Sequence, residues 1–300
     1  MLRMRGLALL GAAFAGVALA HDGRPHSEAL EWTFDPLIVA PLLLVLASFL
    51  AGWWRLSRRT AVPRGRAWLF VAGWVVLALS LVSPLHEGGE RSFTLHMIEH
   101  ELIMLVATLL IAAAHAGGIL AWGLPRPLRQ VVGGSWKAPF LRAWRRLTEP
   151  VTATLLQAGV MWLWHAPALF DRALASQGWH IAQHASFVIA SLIFWAAMLQ
   201  RRRAGYLVAA ACLFATSLLE GALGALMALS SSPWYAAYAA MPLTGVGLDP
   251  ATDQQLAGLI MWVPAGLSYL VAGLVLLAAW MRESERRAAR RRARHELRPV

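Results

Sequence analysis

Charge and sulfur are what this sequence has least of. Only 14% of its residues are Asp, Glu, Lys or Arg, against about a quarter in an ordinary soluble domain, which excludes a water-soluble globule. The single cysteine, Cys212, sits in an apolar run. It can form no intrachain disulfide and no multi-thiolate metal site, and reads as a small core residue. No stretch alternates polar and apolar residues as barrel strands do, and no fixed-period repeat is present.

Long apolar runs fill the space left by charge. Hydrophobic residues make up 58% of the chain and there are 15 tryptophans, a ring type enriched at lipid–water boundaries. The composition is that of a polytopic membrane protein. The start, "MLRMRGLALLGAAFAGVALA", has a basic head, an apolar stretch and Ala18-Leu19-Ala20, and reads as a signal peptide over 1–20. An uncleaved anchor is the alternative. An outer segment over 21–35 follows. Seven runs, near 36–54, 67–83, 95–116, 150–166, 180–199, 205–230 and 255–281, are each long enough for a bilayer core of about 30 Å. The expected fold is all-α: a seven-transmembrane-helix bundle over 36–281 with a basic tail over 282–300.

The net charge of +11 would suggest nucleic acid in a soluble chain. Here the basic residues fall in short loops, so no nucleic-acid partner is expected. Alternate connections and the tail carry 22 of them, whereas the other connections and the segment after the leader hold only Arg24, Arg91 and Arg172. Positive residues stay cytoplasmic, which places the N-terminus outside and the tail inside a cell inner (plasma) membrane. The Arg-rich tail suits anionic lipid.

With that topology, eight of the ten histidines fall on or just beneath the outer face: His21, His26, His86, His96, His100, His165, His180 and His184. His115 and His295 fall toward the cytoplasm. His96 and His100 are spaced i, i+4, as are His180 and His184, so each pair shares a helix face. Met104 extends the first face, Met161 stands four before His165, and Gln254, Gly258 and Met261 share a face of the last span. Imidazole and thioether without thiolate suit copper in either oxidation state; imidazole alone suits zinc or iron as well. Glu99, Glu101, Glu87 and Glu90 could orient the imidazoles or form a cation-attracting rim. The bland alternatives are interfacial histidines that reach water and methionines that fill the core. Glu220, near mid-depth of the sixth span, reads either as a relay or as a helix–helix hydrogen bond. Cleavage after Ala20 would leave His21 as the first residue, where its amine and imidazole, with His26 nearby, could form an additional copper site.

The blocks "SPLHEGGERSFTLHMIEHELIMLVATLLI", "WLWHAPALFDRALASQGWHIAQHASFVIASLIFW" and "DPATDQQLAGLIMWVPAGLSYL" resemble the CtaG family of integral-membrane cytochrome c oxidase assembly factors, from about Leu37 to Met281. The resemblance implies a non-enzymatic factor that handles copper for the oxidase's outer copper centre. Its partners would be oxidase subunits and the lipid bilayer, with periplasmic copper chaperones as further candidates. It points to His96, Met97, His100, His165, His180, His184, Asp253 and Met261. Glu99, Glu101 and His86 depart from the family pattern and make the outer mouth more acidic. Three rivals remain open. One is a b-type haem protein ligated by His100 and His184; another is a copper transporter. The third is a zinc hydrolase using Glu99, although His100-Glu101 lacks the second histidine of an HExxH motif at 104.

Overall fold

A computed structural model describes residues 30–134, 137–199 and 205–296, and every regular element among them is a helix. The expected leader, His21, His26 and the Arg201–Arg203 loop lie outside the described residues. Asp35 starts α1 (Pro36–Ser57), its carboxylate accepting the Leu37 N–H at 2.8 Å. Pro36 follows at the first helical position, where its missing N–H leaves nothing unsatisfied. After α2 (Arg64–Val82), Ser83 caps the short α3 (Pro84–Arg91), and Ser92 caps α4 (Phe93–Glu101). A π-helical turn, Leu102–Ala107, joins α4 to α5 (Thr108–Ala113). His115, in the left-handed region at φ 48°, then turns the chain. The chain continues through α6 (Gly117–Gly123), α7 (Arg126–Gly133), α8 (Lys137–Leu147), α9 (Pro150–Trp164), α10 (Pro167–Ala175) and α11 (Gln177–Leu199). It ends with α12 (Tyr206–Leu229), α13 (Ala236–Ala239) and α14 (Pro250–Glu296).

Among the described residues, six helices are long and apolar enough to cross a membrane: α1, α2, the continuous Phe93–Ala113, α11, α12 and Pro250–Arg287 of α14. Large apolar side chains such as Leu43, Leu44, Phe214, Leu218 and Leu267 point outward, a surface that suits hydrocarbon and marks a multi-pass membrane protein. The fourth expected run is shorter than the others. Glu149 and Pro150 start α9, and His165 ends it after 15 residues, about 22 Å of helix.

Small residues set a close contact between α12 and α14. A Cβ on Gly224 would lie 2.8 Å from the Gly258 carbonyl oxygen, and one on Gly258 would lie 2.6 Å from that of Gly224. Only glycine lets α12 and α14 approach this closely. The two ends of α2 differ in chemistry. Near its start, Arg55 donates to the Trp122, Gly123 and Leu124 carbonyls at 2.9, 3.1 and 3.3 Å, capping α6, while Arg59 and Arg129 lie over Trp122. Near its finish, about 28 Å away along the 19-residue helix, the histidines gather.

Candidate metal centre

The i, i+4 spacing in α4 sets the His96 and His100 rings edge to face with centroids 4.3 Å apart. In α11 the same spacing puts those of His180 and His184 4.5 Å apart. The two pairs face each other: His100 to His184 is 5.1 Å and His96 to His180 is 5.6 Å. Two three-histidine sets, His86/His180/His184 and His96/His100/His184, have ligand atoms within 4.8 Å of one another. His165, at the end of α9, stands 6.5 Å from His100 between ring centroids, at the edge of the group and outside both sets. These six histidines are at most 7% exposed, and Glu99 is fully buried.

His86 completes the cluster, although it lies in a connection rather than a span. Ser83-Pro84 makes that connection a capped helix, and α3 folds back over α4 with Gly89 at the close approach. A Cβ there would come within 3.3 Å of His96 Nδ1. Tyr238 holds the fold-back by donating to the Gly89 carbonyl at 2.5 Å. His86 Nδ1 meets Glu99 Oε1 at 2.8 Å. Burial pushes the His86 imidazole down, but the hydrogen bond and charge of Glu99, helped by Glu90 and Asp35, hold it above the usual histidine range.

Backbone carbonyls fix two further rings. His165 Nδ1 lies 2.8 Å from the Met161 oxygen, and His184 Nδ1 lies 3.2 Å from the His180 oxygen. A carbonyl only accepts, so each Nδ1 carries hydrogen and each Nε2 carries the lone pair a metal requires. Both ring nitrogens of His96 and of His100 lack a hydrogen-bond partner among the described residues, as does Glu99 Oε2. Buried polar atoms normally find partners, so this many orphans in one pocket is the pattern of an ion site. Ring centroid to ring centroid, Phe170 lies 5.1 Å from His96 and Phe187 lies 4.7 Å from His100, so the imidazoles have apolar neighbours.

The other expected residues are placed as follows. Met97, Met104, Met161 and Met261 are buried in the apolar cluster with Phe93, Phe170 and Phe187. Asp253 works at one remove from the rings: its carboxylate accepts Ser92 Oγ at 2.9 Å and the Phe93 N–H at 2.7 Å, tying α14 to the first turn of α4. Glu101 shares a field with Glu220 and Tyr269, in a separate polar layer where Gln157 bridges Ser191 and Glu220 at 3.2 and 3.4 Å. Glu87 pairs with Arg91. His115 is exposed at the turn after α5. Gln183 was not expected: it is fully buried beside His184, and neither amide atom has a partner among the described residues. Its position one residue before a candidate ligand is the only hint the sequence offers.

The sequence model of the family described as cytochrome c oxidase caa3 assembly factor (Caa3_CtaG) matches residues 47–283, the whole histidine cluster included. The chain belongs to the caa3 assembly factor family. Similar proteins include Uncharacterized protein ML1998 of Mycobacterium leprae, 28% identical over 276 residues, covering 86% of this chain and 41% of the relative. Uncharacterized protein Mb0105 of Mycobacterium bovis is 28% identical over 281 residues, covering 88% of this chain and 41% of the relative. The chain thus spans about two-fifths of the length of these curated relatives. No solved structure matches it. Membership in an assembly factor family suggests a non-catalytic role.

Proposed function

We propose that this caa3 assembly factor binds copper in the histidine cluster at the outer membrane face and aids its delivery to the oxidase copper centre. The observation that carries the reading is the pair of overlapping three-histidine sets in a buried pocket. Neutral imidazoles suit copper, and thioether donors from Met97, Met104 and Met261 would favour Cu(I). His165 would serve as a further ligand, with Glu99 as the carboxylate that orients His86. In a buried pocket beside a carboxylate, a cation would be held by charge as well as by coordination.

In this reading the chain crosses a plasma membrane seven times, α9 being a short seventh crossing. A cleaved leader over 1–20 puts the 21–35 segment and the cluster outside, and the tail over 282–300 inside, where its arginines meet anionic lipid. His21 and His26 would form a second copper site. Oxidase subunits would be the recipients and periplasmic copper chaperones the donors. The haem alternative gains nothing from the geometry: His100 and His184 meet edge to face, a contact that a macrocycle between them would have to replace.

A deletion strain tests the proposal. Its oxidase should lack copper while the oxidase polypeptides are still made, and wild-type protein but not a His96→Ala/His100→Ala variant should restore the metal. Normal oxidase copper in the deletion strain would overturn it.

A further inference from the structure

The two three-histidine sets have one member in common, and that member has one free lone pair. His184 belongs to both sets. Its Nδ1 is committed as a donor to the His180 carbonyl 3.2 Å away, so Nε2 is its only ligating atom. That single atom can complete one three-nitrogen site at a time. The sets are therefore alternatives and not two independent sites.

Their positions give the alternatives an order. One set takes His86 from α3 and His180 from the first turn of α11; the other takes His96 and His100 from α4. His184 lies one helical turn further into α11 than His180, and His100 one turn further into α4 than His96, about 6 Å in each case. One set thus opens toward the α3 cover, and the other reaches into the span. Glu99 lies beside the common ligand, Oε1 at 3.3 Å from His184 Nε2, so its charge serves an ion in either position.

We infer that His184 is the pivot of two alternative copper stations, His86/His180/His184 and His96/His100/His184, between which one ion moves without releasing the pivot. The step is ligand exchange alone. Two histidine nitrogens leave the ion as two others bind, the ion keeps its oxidation state, and no proton or electron is transferred. The inference rests on the copper reading above. It adds what a simple binding site lacks, a built-in route from the cover to the interior of the bundle.

X-ray absorption and elemental analysis of the detergent-purified full chain, loaded with Cu(I), test it. Wild type should bind one ion per chain with three histidine nitrogens. His86→Ala/His180→Ala and His96→Ala/His100→Ala should each still bind one ion with three histidine nitrogens, because each variant retains one complete station. His184→Ala should bind copper with fewer nitrogens, and adding it to either double variant should abolish stoichiometric binding. A His184→Gln variant, checked by its helical circular dichroism, guards against loss of fold and should behave as His184→Ala does. Two ions per wild-type chain, or unchanged coordination in both His184 variants, would overturn the pivot and leave the copper reading standing. No copper in wild type would overturn both.

Discussion

His184 Nε2 stands 3.3 Å from Glu99 Oε1, and Glu99 Oε1 already meets His86 Nδ1 at 2.8 Å. With His184 Nδ1 committed to a carbonyl, its Nε2 lone pair faces a carboxylate oxygen. Two electron-rich atoms at that separation, out of water, repel unless a cation lies between or beside them. The pocket is built for positive charge, whether a proton or a metal ion.

Glu99 is therefore the side chain through which the pocket's charge preference is tested most simply. Glu99→Gln keeps the shape and removes the anion. Copper affinity should fall by about 10- to 100-fold, the usual cost of losing a carboxylate that supports a ligand, with helical content unchanged. Titration against a competing Cu(I) chelator reads this out, and an unchanged affinity would contradict it.

Asp253 should matter for a different reason. Its carboxylate satisfies Ser92 Oγ and the Phe93 N–H at the start of α4. Removing it leaves buried donors unpaired at a helix N-terminus, at a cost of about 3 kcal/mol. Asp253→Ala should lower the thermal midpoint in detergent and weaken copper binding although no ligand is lost. Copper binding lost with the midpoint unchanged would instead make Asp253 a ligand.

Gly258 tests the seam between α12 and α14. A Cβ there would lie 2.6 Å from the Gly224 oxygen and the Ala228 nitrogen, all backbone and unable to swing aside. Gly258→Ala should cost about 1–3 kcal/mol, seen as a lower thermal midpoint, whereas Gly273→Ala, with no atom near its added Cβ, should be neutral.

His165 separates an edge residue from the shared sets. It lies outside both of them, with its ring 6.5 Å from His100. His165→Ala should retain the wild-type copper load with a modestly lower affinity, whereas His96→Ala/His100→Ala/His184→Ala, which breaks both sets, should lose stoichiometric binding. Complete loss of copper in His165→Ala would place the ion nearer α9 than the two sets imply.

Much of this arrangement was legible in the residues themselves. The pairs His96/His100 and His180/His184 announce themselves by spacing, because i, i+4 on any helix shares a face, and loop charge and hydropathy put both pairs at one end of their spans. His86 did not, because it lies in a connection, where no helical period links it to the cluster. Only the Ser83-Pro84 start signal shows that the connection is a helix, and Gly89 marks where it passes close to α4. The fourth run was overcounted at its end, since Trp164 and Ala166 are apolar but Pro167 already belongs to α10. Glu101, one residue from His100, serves a different layer with Glu220 and Tyr269, because neighbours on a helix point about 100° apart. Asp253 looked like part of the site and is the clamp that positions it, a distinction no linear spacing encodes.

Elemental analysis of the detergent-purified protein, wild type beside His96→Ala/His100→Ala/His184→Ala, tests the central claim most directly. The account predicts one copper per wild-type chain, held in preference to zinc and iron, and no stoichiometric copper in the triple variant, which keeps neither three-histidine set. A wild-type protein that emerges folded but free of copper after loading with Cu(I), or one that takes up zinc or haem in its place, would contradict it.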